Sequence, residues 1–279
     1  MRPLFGAAHI FELERCLYEA RKKLRRYWAG TLARLPSFAG GEDLTGQQTK
    51  YDLECQSLIF ESFSNIGMRV TIFSEEIDSS ITFGEGGEFY LIVDPLDGTH
   101  NAILGFPAYT SSVALYHEGA YIFGWVYDMS RDIVYTASLG EGAYLQSPIV
   151  VKRLRTRNVY RLDEMRIAFH RPEGGVERAL IEGMLWAVDK VRVCSCSSLE
   201  ICLIAAGVLD AFIDIDNPGH ERSCDIAAAE LILREAGGTL FDMFGNPRFS
   251  LPPSTASLSD RGTLVALSSK ELMQFIAFN

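Results

Sequence analysis

The first clear period along the chain is helical. Ile10, Leu13, Leu17, Leu24 and Trp28 recur at roughly helical spacing and predict a helix over residues 10–29. Arg21, Lys22, Lys23, Arg25 and Arg26 crowd its second half, where cations suit the negative end of a helix dipole. Residues 36–52 are polar and glycine-bearing and read as a long loop of the kind that closes over functional sites. Leu53, Ile59, Phe60 and Phe63 predict a second helix over 52–65. Residues 70–74 then read as a strand ending at Glu75 and Glu76.

The pattern changes most sharply at residues 89–99. Five strand-forming residues run straight into Asp94-Pro95-Leu96-Asp97-Gly98-Thr99. Pro95 has no ladder donor, so the strand is expected to stop there. Thr99 is placed to cap a following helix, and Gly98 to admit a close backbone approach. Four antiparallel strands follow, over 111–115, 120–128, 132–137 and 142–145, and residues 148–161 read as a surface connection. The second half alternates: strands over 165–169, 191–194, 209–215, 239–242 and 262–267, and helices over 175–188, 198–206 and 225–236. Ser223 is the expected cap of the last helix and Gly237-Gly238 its stop. The first half thus has α+β character and the second α/β, which suggests an N-terminal unit of residues 1–150 and a C-terminal unit of 151–279.

Composition narrows the function. Hydrophobic residues make up 48% of the chain, enough for a sizeable core. Twenty-six basic against thirty-six acidic residues give a net charge of −10, which argues against broad nucleic-acid binding. The acids among residues 1–20 are unlike a secretory signal, and charged residues interrupt every apolar run of membrane-spanning length. The expectation is a cytoplasmic protein with no membrane or nucleic-acid partner. The six cysteines lack zinc-ligand spacing and read as free buried thiols.

Four acids stand at element ends: Glu75, Asp94, Asp97 and Asp225. Asp94 and Asp97, beside backbone N–H groups suited to an anion, make chemical sense only with divalent cations between protein and phosphate. Glu75 alone would be ordinary surface, and Asp225 alone a residue favoured by a helix dipole. The order strand-Asp-Pro-Leu-Asp-Gly-Thr could be mistaken for the haloacid-dehalogenase signature. There the two acids lie two residues apart; here they lie three apart, at 94 and 97, which disfavours an aspartyl nucleophile.

Glu75-Glu76, Asp94-Pro95-Leu96-Asp97-Gly98-Thr99 and Cys224-Asp225-Ile226-Ala227-Ala228, followed by Glu235-Ala236-Gly237-Gly238, resemble the three signature motifs of the inositol monophosphatase and fructose-1,6-bisphosphatase superfamily. The resemblance implies a five-layered α-β-α-β-α sandwich, a homodimer, and a Mg²⁺-dependent phosphatase with two or three ions per site, inhibited by Li⁺. It implies that Glu75, Asp94 and the carbonyl of Leu96 hold one ion, and that Asp94, Asp97 and Asp225 hold a second. Glu75, Thr99 and Asp97 form the implied catalytic set, with Glu75 and the Thr99 hydroxyl orienting a metal-bound water for in-line attack. Backbone N–H groups of Gly98 and Thr99 would bind the phosphate. Ser195, Cys196, Ser197 and Asp214 would contact a polyol, and Asp43 in the 41–52 loop would reach a third ion through water. Residues 216–222 resemble the segment of archaeal and bacterial members that act on both inositol phosphates and fructose 1,6-bisphosphate. Arg222, with Arg192, would there bind a distal phosphate. Cys224 departs from the family's usual tryptophan. The alternatives are a 3′-phosphoadenosine 5′-phosphate phosphatase with the same site, or a non-catalytic module that kept the fold; the second predicts missing ligands, and all five of Glu75, Asp94, Asp97, Thr99 and Asp225 are present.

Overall fold

A computed structural model describes residues 7–32, 44–77, 79–85, 89–172, 175–215, 220 and 222–276. The order begins with α1 (Ala7–Leu32), α2 (Leu44–Phe63), β1 (Val70–Ser74), β2 (Ile81–Phe83), β3 (Phe89–Asp97) and α3 (Thr99–Leu104). β4 (Thr110–His117), β5 (Ala120–Asp128), β6 (Ile133–Ser138), β7 (Gly142–Gln146) and β8 (Val151–Arg153) follow. The second half has β9 (Arg166–Phe169), α4 (Gly175–Ala187), β10 (Lys190–Arg192), α5 (Ser197–Ala205), β11 (Ala211–Asp214), α6 (Ser223–Glu235), β12 (Thr239–Phe241), β13 (Leu264–Leu267) and α7 (Met273–Ile276).

One sheet has eight strands in the order β2-β1-β3-β4-β5-β6-β7-β8, and the other five in the order β10-β9-β11-β13-β12. Side chains on a strand alternate faces, and that alternation builds the layers. Leu91 and Val93 of β3 join α1 and α2 in one core, while Ile92 points the other way into a core shared with α5 and α6. β11 repeats the pattern: Phe212 faces that same middle core, and Ala211 and Ile213 face a third core containing α4. The result is the expected α-β-α-β-α sandwich. Among the described residues no helix is long and apolar enough to cross a membrane.

Several local expectations are corrected. β3 does not stop at Pro95: Asp94 pairs with Ser112 and Asp97 with Thr110, so one extra residue bulges out between them. The missing N–H of Pro95 falls within this irregular stretch, where the ladder is already interrupted. α2 begins at Leu44, so part of the expected 36–52 loop is helical; a single Gly in a helix costs only about 1 kcal/mol. Residues 148–161 include the short edge strand β8, pairing Lys152 with Leu145. Thr99 does not cap α3; Gly98, at φ +79°, occupies that position. Arg222 rather than Ser223 is the cap of α6. The basic residues of α1 fall short of its C-terminus because the helix continues to Leu32; Arg21 and Arg25 bind Asp132 instead, and Lys23 binds Glu61. All six cysteines are free, and only Cys194 is less than fully buried.

Candidate active site

β1 and β3 run parallel with Ser74 beside Val93, and the Glu75 N–H donates to the Val93 carbonyl at 3.1 Å. Glu75 therefore lies next to Asp94. Asp94 falls on the same face as Ile92, the face covered by α6, and it is 2% exposed. α6 lies close against the sheet: a Cβ on Gly124 would meet the Ala228 carbonyl at 2.6 Å. Its first turn carries Asp225, whose Oδ2 accepts from the backbone N–H of Arg222 at 2.8 Å. The parallel pair and the buried helix thus gather three acids from positions 75, 94 and 225.

The bulge delivers the fourth. Asp97 Oδ2 accepts from the N–H and hydroxyl of Ser198, at 2.8 and 2.6 Å, and lies 3.4 Å from the Cys196 thiol. The start of α5 therefore fixes the direction of the Asp97 carboxylate. Asp94 Oδ1 accepts the Leu96 N–H at 3.0 Å, and the Leu96 carbonyl accepts the Thr99 hydroxyl at 2.7 Å. Thr99 Oγ1 also lies 2.7 Å from Oδ1 of Asp52, on α2. Gly98 is required here, since a Cβ would meet the Ala108 carbonyl at 2.6 Å.

This concentration of negative charge shifts the carboxyls upward. Burial, and then Glu75, Asp97 and Asp225, push Asp94 well above the usual range. Burial and Asp225 raise Glu75, which Arg222 partly offsets. Burial raises Asp52 to about 7. The Arg222 guanidinium lies against Glu75 and reaches Asp225 Oδ1 at 3.1 Å. Burial works against its charge, but Asp225 and Glu75 outweigh that and hold it above the ordinary value.

One guanidinium stands against four neighbouring carboxylates that disfavour one another's charge, with the Leu96 carbonyl on the stretch between Asp94 and Asp97. That donor set fits hard divalent cations, which take oxygen ligands. Glu75, Asp225 and Cys224 also place ligand atoms within 4.8 Å of one another.

The remaining expected residues divide. Ser195 is exposed and has φ +53°, Cys196 is buried beneath Asp97, and the Ser197 hydroxyl lies 3.2 Å from His170 Nε2. Asp214 is 1% exposed and engaged by His220, through its N–H at 2.6 Å and its ring at 3.1 Å. Arg192 donates to the Val191 carbonyl at 2.7 Å. Asp43 lies outside the described residues. Sequence reasoning missed the support of Asp97 by Ser198, the contact of Asp52 with Thr99, and the histidines at Ser197 and Asp214. Glu200 did leave a signal, as an acid inside an apolar helix.

The inositol monophosphatase family model matches residues 12–276. The chain belongs to that family. A fructose-1,6-bisphosphatase/inositol-1-monophosphatase of Thermococcus kodakarensis is 29% identical over 243 residues, covering 85% of this chain and 84% of the relative. Inositol monophosphatase 1 of Solanum lycopersicum is 31% identical over 201 residues, covering 71% and 72%. Among solved structures, a Pyrococcus horikoshii protein described as having similarities to inositol-1 monophosphatase superposes with a TM-score of 0.66 at 28% identity, covering 82% of this chain and 84% of that one.

Proposed function

We propose that the chain is a Mg²⁺-dependent phosphomonoester hydrolase acting on inositol monophosphate, fructose 1,6-bisphosphate or both. The observation that carries this reading is the convergence of Glu75, Asp94, Asp97 and Asp225 beside Thr99. The names of its relatives, one of them covering both substrates, support the substrate class.

Glu75, Asp94, Asp97, Asp225 and the Leu96 carbonyl are the groups that would hold the cations. Bound divalent cations lower the pKa of water and stabilise a leaving oxygen. The chain's own residues supply the rest. Glu75 and the Thr99 hydroxyl orient the attacking water, and Asp52 together with the Leu96 carbonyl fixes that hydroxyl. The left-handed Gly98 packs its backbone against Ala108 and Cys196, where a Cβ would clash, and so sets the turn that carries Thr99. Ser195, exposed just before α5, is the residue placed to meet the organic part of the ester from the second half of the chain.

A panel of phosphate esters tests the reading: inositol 1-phosphate, fructose 1,6-bisphosphate and 3′-phosphoadenosine 5′-phosphate at equal concentration, with and without Mg²⁺, with phosphate release measured. Mg²⁺-dependent release from one of the first two is expected. Preference for the nucleotide would reassign the substrate, and no release from any ester would sink the proposal.

A further inference from the structure

The turn at residues 194–196 is held from two directions. Ser195 takes a left-handed backbone, uncommon for a residue other than glycine. Such a conformation persists only where its surroundings over-determine it. On one side Asn101, two residues beyond Thr99, donates through Nδ2 to the carbonyls of Cys194 at 2.6 Å, Ala108 at 2.8 Å and Ser195 at 3.3 Å. On the other side Glu200 accepts the N–H of Cys194 at 3.0 Å on Oε1 and that of Cys196 at 3.3 Å on Oε2. Carbonyls face the amide and N–H groups face the acid, so each partner holds what the other cannot.

Glu200 is a costly choice for a merely structural role. It is fully buried in the apolar helix α5, and a short Ser or Thr at the cap position would satisfy N–H groups there without burying a carboxylate. A longer side chain from one turn inside the helix reaches back to the outside of the turn instead. What the turn carries is informative. Ser195 is exposed, and within three residues Ser198 holds Asp97 by two hydrogen bonds. Asn101 sits on the segment that contains Asp97, Gly98 and Thr99. The pair therefore connects the phosphate side of the site directly to the side that meets the rest of the ester.

We infer that Asn101 and Glu200 are positioning residues for the organic half of the substrate, holding the turn at 194–196 at a fixed distance from Asp97–Thr99 so that a hydroxyl-rich ring is read against a fixed phosphate. The substrate part of this inference rests on the phosphomonoesterase reading above.

Two measurements test it. The first is independent of activity: hydrogen exchange of the Cys194 and Cys196 amides in the wild type, Glu200→Gln and Asn101→Ala. Exchange faster by about tenfold or more is expected in the variants, since each loses partners that hold the turn closed. Unchanged exchange in both overturns the clamp whether or not the protein hydrolyses any ester. The second compares kcat/KM for inositol 1-phosphate and glycerol 2-phosphate, whose small organic part has little to position. In Asn101→Ala the ratio is expected to fall by about tenfold or more, chiefly through KM for the inositol ester. An equal fall on both esters would mean a structural role only and would overturn the inference, with melting curves confirming that the variant is folded. Absence of phosphate release by the wild type would instead count against the phosphatase reading, and the exchange arm would still decide the clamp.

Discussion

The guanidinium of Arg222 lies against the carboxylate of Glu75, and the same group reaches Asp225. These are two of the acids proposed to hold divalent cations, so the chain carries its own positive charge inside that acidic cluster. Removing one partner from a buried charge pair costs about 3–5 kcal/mol, and less here, where the Arg222 and Glu75 side chains are 20% and 25% exposed. For a chain of this size each kcal/mol moves Tm by about 2–4 °C. Arg222→Met is therefore expected to lower Tm by about 4 °C or more in the presence of a chelator, and by much less with saturating Mg²⁺, because the cations then neutralise Glu75 and Asp225. Calorimetry in both conditions decides it: an equal loss in both would remove Arg222 as a counter-charge to the cation site. A role at a distal phosphate requires the guanidinium to leave those two acids. If it does so in the loaded enzyme, Arg222→Ala raises KM for fructose 1,6-bisphosphate more than for inositol 1-phosphate.

Asp94 sits deepest in the same cluster, and its effects on activity and stability should have opposite signs. Glu75, Asp97 and Asp225 all disfavour its charge, so without cations Asp94→Asn relieves repulsion and is expected to raise Tm. With Mg²⁺ the same change removes a shared ligand, and kcat is expected to fall by about three orders of magnitude or more. Near-normal turnover in the folded variant would dismiss Asp94 from the site.

Glu200 gives a pH prediction whose sign follows from its burial. Burial pushes its carboxyl up to about 7 against the pull of the Cys194 N–H. The folded state then holds a proton that the unfolded chain releases near its ordinary value of about 4.3. The stability this proton lends is complete below that value, declines as the pH rises towards about 7, and stays lost above it. At about 1.4 kcal/mol per pH unit, the decline amounts to about 4 kcal/mol. Asp52, also raised to about 7 by burial, adds a decline of the same sign. Urea unfolding in chelator at a series of pH values should show the fall in the wild type and a shallower one in Glu200→Gln. An unaltered slope would rule out Glu200 as a source.

Much of this fold was legible because its strands are amphipathic or wholly apolar: Val70–Ser74 and Ala120–Asp128 have the ends that their patterns predicted. The order of the acids was legible as well, since a strand end crowded with carboxylates has few chemical uses. Less legible was whatever depends on contacts distant in sequence. Pro95 reads as a stop, yet β3 passes it because the partner strand Thr110–His117 accommodates a bulge. Ser198 reads as an ordinary helix residue until Asp97, 101 positions earlier, docks on it. Arg222 reads as a free cation suited to phosphate, and only the fold brings Glu75 to it across 147 positions.

The Ser198–Asp97 contact also yields a test. Asp97 Oδ2 takes two of its hydrogen bonds from one residue, the N–H and hydroxyl of Ser198, so Ser198→Ala removes one donor and keeps the other. Groups that orient a metal ligand typically matter by about 10- to 100-fold in metal affinity or activity. The hydroxyl is buried, and it also lies 2.5 Å from Thr110 Oγ1, so its loss frees two partners at once. Ser198→Ala is expected to weaken Mg²⁺ binding by about tenfold, read by calorimetric titration, and to move the Mg²⁺ concentration giving half-maximal turnover by the same factor. Ser198→Thr, which restores a hydroxyl, should recover part of the affinity. Unchanged Mg²⁺ affinity in Ser198→Ala would mean that the backbone N–H alone holds Asp97, and that the hydroxyl serves only the packing of α5 against β4.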